Sequence, residues 1–242
     1  MIKPYDENPA GKKEQVRVMF DAIARRYDLL NRVLSLGIDL RWRARVVSGV
    51  RRQGPATVLD VATGTGDLAI AVGRALPAAA MTGVDLSPEM LRIGREKVAA
   101  RFPGREFPMM EGDAERLPFD EGRFEAVTCG FGVRNFENLD RGLREMYRVL
   151  APQGRVYILE FSMPSRHNGL GRLYRFYFRR ILPAIGRLVS RDARAYSYLP
   201  ESVGEFPYGE PFCRMLAETG FVNPRMRRLT GGIALIYTAE KP

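Results

Sequence analysis

A glycine-rich turn between two apolar runs is the segment of this sequence whose residues suggest the clearest chemistry. Residues 58–69 read VLDVATGTGDLA, in which an apolar run gives way to a turn with Gly64 and Gly66 and then to a helix-like apolar pattern. Glycines let a backbone pass close to a ligand. A second apolar run ends in Asp85, where a carboxylate can accept hydrogen bonds from both hydroxyls of a ribose. The layout predicts a nucleotide-binding βαβ unit.

Taken alone, this turn leaves two alternatives open. Gly64, Gly66 and Ala69 also satisfy the dinucleotide fingerprint with alanine at its last position, so the segment is compatible with binding of NAD. A turn that binds no ligand and only joins a strand to a helix is the second alternative.

Two further predicted strands end in groups suited to a ligand. Residues 111–115 read EGDAE, where Asp113 is an acceptor for an adenine edge or, alternatively, the cap of a turn. Residues 128–135 read TCGFGVRN and are rich in small side chains. In an open parallel sheet a ligand lies across the carboxyl ends of the strands. Four such ends in succession are more specific for an adenosine site than the glycine turn alone.

The elements that must position these residues alternate between strands and helices, after a helical start at residues 14–50. Alternation of this kind predicts a parallel sheet with helices on both faces. Thr230-Gly231-Gly232 joins the last two strands and favours an antiparallel hairpin. We therefore predict an α/β fold with a Rossmann-like, mostly parallel sheet of seven strands, as in class I S-adenosylmethionine-dependent methyltransferases. The predicted strands are 56–61, 80–85, 106–111, 124–130, 154–162, 222–229 and 233–239, and the predicted later helices are 66–76, 88–101, 139–150 and 209–219.

Length and composition suit a single domain in a reducing compartment. The chain has 242 residues, of which 45% are hydrophobic, enough for one large α/β core. Its two cysteines cannot form a disulfide framework or a zinc site, and the polar N-terminus lacks the apolar core of a signal peptide. We expect a cytoplasmic protein, or one peripheral to the inner face of the cell membrane. The predicted parts are a helical cap (1–52), a cofactor-binding core (53–162), a helical lid (163–208) and a C-terminal helix and hairpin (209–242).

Positive charge is the second compositional signal. Lysine and arginine number 38 against 28 acidic residues, and residues 41–52 and 166–194 hold much of the excess. In residues 170–189 arginines alternate with aromatic and aliphatic side chains, which is typical of an interfacial helix on an anionic membrane. An ordinary amphipathic helix packed on the sheet is the alternative. RNA is a competing partner, disfavoured because the arginines are interleaved with bulky aliphatics and no RNA-binding module is visible.

Several segments match one known family of enzymes. They are 27–31 (YDLLN), Ser35, Trp42, 131–135 (FGVRN), 148–154 (RVLAPQG), 160–162 (EFS), 198–202 (YLPES), Phe206-Pro207 and 229–233 (LTGGI). Through them the sequence resembles the demethylmenaquinone and ubiquinone-precursor C-methyltransferase family over nearly its whole length. It departs from the family pattern at Asp39, usually histidine, at Ala151 and Gln153, usually lysine and glycine, and at Gly130, where some members have serine.

The resemblance implies methyl transfer from S-adenosyl-L-methionine to a ring carbon of a polyprenylated quinol. The expected reaction converts demethylmenaquinol to menaquinol, with a ubiquinone precursor as a further candidate substrate. A sulfonium methyl group is already activated, so no metal is required. A methyltransferase for another small or lipid acceptor stays open, as does a homodimer. The implied cofactor contacts are Thr63, Asp85, Asp113 and Ala114, to which the glycine turn adds Gly64 and Gly66.

A quinol carbon becomes nucleophilic when the neighbouring hydroxyl loses its proton, which calls for a base or a stabilising cation. Arg134, beside Asn135, is our candidate for stabilising the phenolate or for orienting a water that takes the proton. The alternative is an ion pair with a carboxylate such as Glu137. Tyr27 is a weaker candidate for closing the site, with an ordinary core tyrosine as its alternative.

Two other reactive residue types fit structural roles better. His167, the single histidine, lies in the basic segment and is expected at the surface. Cys129 lacks the Pro-Cys context of pyrimidine C5 methyltransferases, so a small buried residue is the better interpretation.

Overall fold

A computed structural model of the chain describes residues 2–5, 8–164 and 194–242. Seven strands in this part form one sheet. In chain order they are β1 (Thr57–Val61), β2 (Ala80–Asp85), β3 (Met109–Glu111), β4 (Phe124–Gly130), β5 (Leu150–Phe161), β6 (Val222–Leu229) and β7 (Ala234–Glu240). Across the sheet the order is β3-β2-β1-β4-β5-β7-β6.

The first five strands are mutually parallel, whereas β7 pairs antiparallel with both β5 and β6. The predicted α/β class with a mostly parallel seven-stranded sheet and a C-terminal hairpin is therefore confirmed. Parallel strands end at one edge of the sheet, which is where this type of fold binds its ligands. The turns after β1, β2, β3 and β4 consequently meet at that edge.

Helices cover both faces of the sheet and its carboxyl edge. Ser87 begins one of them by accepting a hydrogen bond from the Met90 amide at 3.2 Å, with Pro88 at the first helical position, as the Ser-Pro-Glu sequence predicts. The described helices are α1 (Lys12–Leu34), α2 (Ile38–Gln53), α3 (Asp67–Ala75), α4 (Pro88–Arg101), α5 (Leu139–Val149), α6 (Arg194–Glu205) and α7 (Glu210–Thr219).

Apolar side chains form three buried clusters. One packs α5 and α7 on a face of the sheet, around Leu143 and Phe212. A second packs α2, α3 and α4 on the opposite face, around Val46 and Leu91. The third lies beneath α1, around Met19. Burying one such side chain stabilises the fold by about 1.5–3 kcal/mol, so the three clusters hold the carboxyl edge in a fixed shape.

Two predicted strand boundaries are wrong. Strand β3 begins at Met109 rather than at residue 106, because Pro108 has no N–H to continue the ladder. Strand β5 begins at Leu150 rather than at residue 154. The four residues before 155 form a bulge within this strand, where Gln153 has φ +63° and its N–H donates to the Lys241 carbonyl at 2.9 Å.

The predicted helical lid is described only at its two ends. Residues 163–164 and α6 belong to the described ranges, whereas His167 and the arginine-rich segment 170–189 lie outside them. None of the helices in the described ranges combines the length and hydropathy needed to cross a bilayer.

Candidate active site

The glycine turn after β1 places backbone N–H groups at the carboxyl edge. Ala62, Gly64 and Gly66 have φ of +52°, +56° and +79°, a region that glycine adopts without strain. The Gly64 N–H points at the next strand end and donates to Asp85 Oδ2 at 2.8 Å. The local chain reversal predicted from the two glycines is therefore present, and α3 begins directly after it.

Asp85 joins the ends of the first two strands. Its Oδ1 accepts from the Ser87 N–H at 2.9 Å and its Oδ2 from the Gly64 N–H at 2.8 Å. Burial raises the pKa of this carboxyl, against the lowering effect of the N–H donors. Each carboxylate oxygen has a second lone pair, so both can still accept a hydroxyl from a ligand.

A buried aspartate supports the turn from below. Asp60 accepts from the hydroxyls of Thr63, at 2.7 Å, and of Thr128. Burial raises the pKa of Asp60 to about 6. Thr63 is itself buried and its hydroxyl is used in this bond, so its predicted contact with a cofactor stays a prediction.

The end of β3 contributes Asp113 and Ala114. Asp113 Oδ1 accepts from the Glu115 N–H at 2.9 Å, and Lys13 on α1 donates to Oδ2 at 2.6 Å. Ala114 is buried beside it. Both groups face the same space as Asp85 and Gly64, so the structure brings together four of the six predicted cofactor residues. Gly66 shapes the turn just behind them.

These strand ends and α1 enclose a cleft of about 710 Å³. We call the strand-end side the floor; it comprises residues 62–66, 85–87, 112–115 and 130–137. We call the α1 side the roof. The floor presents carboxylates and backbone groups, whereas the roof presents one aliphatic and two aromatic side chains and two cations, of which Lys13 lies near Asp113. The roof residues that line the cleft are Lys13, Val16, Arg17, Phe20 and Tyr27.

The cleft fits an adenosyl ligand by its own donors and acceptors. A Cβ added at Gly64 would meet no protein atom within 4 Å, so this backbone forms an open cradle toward the cleft. Asn135 is buried and lines the cleft, and its Oδ1 has no hydrogen-bond partner among the described residues. An unpartnered buried acceptor costs free energy, and a ligand donor in the cleft would remove that cost.

Arg134 lies beside this cleft but is already engaged. Its Nη1 donates to Glu160 Oε1 at 2.8 Å and to the Phe131 carbonyl, and its guanidinium lies 5.5 Å from the Phe161 ring centre. Its ion-pair partner is thus Glu160 and not Glu137, whose carboxylate accepts instead from the Lys12 N–H at 2.7 Å. Glu160 is fully buried, and burial raises the pKa of its carboxyl against the opposing effect of Arg134.

Arg134 faces a second cavity of about 600 Å³, lined also by Lys12 and by residues of α6. Phe136 and Glu137 line both cavities and form the wall between them. Arg134 Nε is buried without a partner among the described residues. The second cavity therefore borders the cleft at the residues that follow β4.

Tyr27 lies on the roof, and its role in closing the site stays a prediction. Its ring packs edge-on against Phe20, with 5.8 Å between ring centres. Burial raises the pKa of its phenol, which also hydrogen-bonds Asn31, so the hydroxyl stays protonated at neutral pH and can donate.

Three residues near the site were not predicted as functional. Glu160 appears in the sequence only as part of a matching segment, and nothing local marks it as the partner of Arg134. Phe20 belongs to a helical apolar period, which fixes one buried face but not what lies beneath it, and nothing local marks Lys13. Cys129 is fully buried in β4, and burial raises the pKa of its thiol well above the usual range, as a structural cysteine requires.

Comparisons with known proteins agree with this geometry. The model of the ubiE/COQ5 methyltransferase family matches residues 9–241. A demethylmenaquinone methyltransferase of Thermus thermophilus is 49% identical over 93% of this chain and 100% of its own length. A ubiquinone/menaquinone biosynthesis C-methyltransferase of Geotalea daltonii is 47% identical, over 95% of this chain and 97% of its own.

Solved structures with much lower identity share the fold. A SAM-dependent methyltransferase from Aquifex aeolicus superposes with a TM-score of 0.58 at 17% identity, over 81% of this chain and 89% of its own. PigF, solved with SAH, gives a TM-score of 0.62 at 20% identity, over 98% of this chain and 64% of its own. From the full-length match together with the strand-end cleft, we conclude that this chain belongs to the ubiE/COQ5 methyltransferase family.

Proposed function

We propose that this enzyme methylates a ring carbon of a polyprenylated quinol, converting demethylmenaquinol to menaquinol, and that a ubiquinone precursor is a further substrate. The methyl donor is S-adenosyl-L-methionine. The observation that carries the proposal is a cleft with carboxylates on its floor and aromatic side chains on its roof, in a chain similar over nearly its whole length to enzymes named for this reaction. Such a cleft suits a charged methyl donor on the floor and an apolar acceptor beneath the roof.

The floor residues divide the task of holding the donor. Asp85 would accept from the ribose hydroxyls, Asp113 and Ala114 would contact the base, and Thr63, Gly64 and Gly66 would form the cradle for the amino-acid end. When bound, S-adenosyl-L-methionine supplies a methyl group activated by its positively charged sulfur. The roof excludes water from the transfer path, and the floor fixes the direction of approach.

The residues after β4 would act on the acceptor. Asn135 Oδ1 is an available buried acceptor for a quinol hydroxyl. Arg134 would stabilise the phenolate or orient the water that takes its proton, with its position set by Glu160. The Arg134–Glu160 pair has no net charge. The phenolate would therefore be stabilised by the N–H groups of the guanidinium that Glu160 does not use. Tyr27 would donate from above and close the site.

The acceptor's location suggests a peripheral protein of the inner membrane face. Segment 170–189, the predicted lid within 163–208, is proposed to contact anionic lipid and to admit the isoprenoid tail. Reversing the charge of Arg175, Arg179 and Arg180 should abolish binding to anionic vesicles, and unchanged binding would remove this segment from the proposal. Nucleic acid is not expected as a partner, and a homodimer stays open.

Labelled-methyl transfer into lipid quinones tests the function directly. Quinones extracted from a strain lacking this protein would be incubated with the purified enzyme and labelled donor, then separated and analysed by mass. We expect label in a demethylated naphthoquinol, at the ring carbon. Label only in another lipid or in RNA would replace the quinol by that acceptor. Calorimetry should show binding of S-adenosylhomocysteine and none of NADH.

A further inference from the structure

The turn between α1 and α2 exposes more apolar surface than any other described part of the chain. Seven large apolar residues are exposed in the described ranges, and the four most exposed all fall within residues 29–40. We call these four the hairpin tip. They are Leu29 (61% exposed), Val33 (47%), Leu36 (82%) and Leu40 (51%).

The tip residues follow one another around the end of the hairpin. Leu29 and Val33 are four apart on α1, Leu36 is in the turn, and Leu40 is in the first turn of α2. Residues at this spacing on a helix are neighbours on one face. Leu36 also has φ +52°, a conformation that glycine or asparagine adopts more readily. A leucine in this conformation, with most of its side chain in solvent, indicates a surface with a function.

Arginines surround the tip on the same outward side. Between residues 25 and 52 the only carboxylates are Asp28 and Asp39, and both already have hydrogen-bond partners. Asp28 accepts from Thr65 and Lys97, and the buried Asp39 accepts from two arginines of its own hairpin. The hairpin therefore keeps an excess of positive charge. Its exposed arginines include Arg25, Arg41, Arg45, Arg51 and Arg52.

The positive surface continues beyond the hairpin. Arg45 and Arg52 on α2 line a groove of about 1220 Å³ together with Arg155, Arg225 and Arg227 from the sheet. Within this set Arg155 pairs with Glu240, whereas the described contacts give the other four no carboxylate partner. An apolar tip next to a positively charged surface is complementary to an anionic membrane. Aliphatic side chains can enter the headgroup region, and arginines can bind lipid phosphates.

We propose that the hairpin tip inserts into the headgroup region of an anionic membrane and that the flanking arginines hold it there. This inference rests on the proposed membrane contact but assigns it to residues other than segment 170–189. The opposite side of α1 is the roof of the cleft, with Phe20 and Tyr27. Docking through the tip would therefore leave one helix between the bilayer and the cleft, a short path for a lipid quinol.

A tryptophan placed at the tip reports insertion in the full-length protein. The single native tryptophan, Trp42, is 4% exposed and gives a constant background. When vesicles of equal parts phosphatidylglycerol and phosphatidylcholine are added to Leu36→Trp, the fluorescence emission of the new tryptophan should shift to the blue. Brominated lipid in the vesicles should quench it. Val222→Trp, on β6 at a site 39% exposed, is the matched control and should not respond.

Two variant pairs separate the apolar and the charged parts. Leu36→Ser with Leu40→Ser should weaken binding to the mixed vesicles at least about tenfold, since two large side chains no longer enter the boundary. Arg25→Glu with Arg41→Glu should do the same only where phosphatidylglycerol is present. Val222→Ser and Arg141→Glu with Arg144→Glu are the controls. Thermal unfolding and transfer to a short-chain quinol should stay at the parent level in all of them.

The outcomes distinguish this inference from the wider proposal. If the parent protein binds vesicles neither with nor without phosphatidylglycerol, membrane contact is overturned altogether. Quinol methylation is then still decided by its own assay. If the tip variants bind the vesicles as strongly as the parent, the role of the hairpin tip is overturned and the wider proposal is not. Blue-shifted emission of Leu36→Trp without vesicles would mean that the chain or a second copy already covers the tip. Salt-sensitive binding of RNA, lost with Arg25→Glu and Arg41→Glu, would assign the arginines to nucleic acid instead.

Discussion

The floor and the roof of the cleft are held by different kinds of interaction. In and below the floor, carboxylates such as Asp60 and Glu160 are buried and are held by hydroxyls, N–H groups or a buried arginine. The roof helix rests on the apolar cluster around Met19, but its ion pairs are partly exposed, for example Lys13 with Asp113 and Lys97 with Asp28. Breaking a buried pair costs several kcal/mol, whereas an exposed pair contributes less than about 1 kcal/mol. The polar groups of the floor are thus fixed before any ligand arrives, whereas the ion pairs between roof and floor contribute little.

The largest expected effect comes from the buried pair in the floor. Arg134 is 7% exposed and Glu160 is fully buried, so Arg134→Met leaves a carboxylate without its cation. We expect the free energy of unfolding to fall by about 3–5 kcal/mol, measured by urea denaturation.

The double variant Arg134→Met with Glu160→Gln separates stability from chemistry. It should recover much of the lost stability because no buried charge remains unpaired. Methyl transfer should nevertheless stay at least about a hundredfold below the parent if the guanidinium stabilises the phenolate. Activity that returns together with stability would assign Arg134 to structure alone.

A second test uses the pH dependence of stability. Burial raises the pKa of Asp60 from 3.8 to about 6, so the folded protein keeps this proton to a higher pH than the unfolded chain. Ionisation of Asp60 therefore lowers the free energy of unfolding as the pH rises from about 4 to about 6, by about 3 kcal/mol. Asp60→Asn should remove this fall.

Other carboxyls also titrate in this range. The quantity to compare is therefore the difference between the free energies of unfolding of the parent and of Asp60→Asn at each pH. Asp120→Asn, at an exposed loop position, is the control and should leave the curve of the parent unchanged. A constant difference between Asp60→Asn and the parent from pH 4 to pH 8 would show that Asp60 is not a strained carboxylate.

The contrast between floor and roof also separates what the sequence reveals from what it hides. Gly64, Asp85 and Asp113 follow predicted strands directly, and parallel strands end at a common edge. Knowing the alternation of strands and helices therefore suffices to bring these residues together. The hairpin after residue 229 is readable for a similar reason, because Thr230-Gly231-Gly232 leaves only a short link.

The roof and its contacts depend on long-range packing that no local pattern encodes. The apolar period of α1 predicts a buried face, but not that Phe20 and Tyr27 would lie over the strand ends. In the same way, Arg134 and Glu160 are joined only because β4 and β5 are neighbours. The sequence also places the start of β5 too late, because Pro152 and Gly154 indicate a turn, whereas the strand continues through them as a bulge.

A third prediction measures how much of the affinity belongs to the floor. Asp85→Asn loses a charged acceptor that orders the glycine turn and is proposed to hold the ribose. Since a hydrogen bond to a charged group contributes about 1.5–3 kcal/mol, the Kd for S-adenosylhomocysteine should rise about a hundredfold, measured by calorimetry. Asp120→Asn is again the control, and an unchanged Kd for Asp85→Asn would move the donor site away from this strand end.

The smallest expected effect lies in the roof. Lys13→Ala removes a pair between partly exposed side chains, 33% and 26% exposed, so the free energy of unfolding should fall by less than about 1 kcal/mol. Arg144→Ala, which breaks a more exposed pair on α5, is the matched control for stability. We expect S-adenosylhomocysteine to dissociate about threefold faster from Lys13→Ala and not from Arg144→Ala, since a loosened roof opens more often. Stopped-flow displacement measures both rates. A hundredfold loss of affinity in Lys13→Ala would mean that the roof is as much a part of the preformed site as the floor, and the distinction between the two would fail.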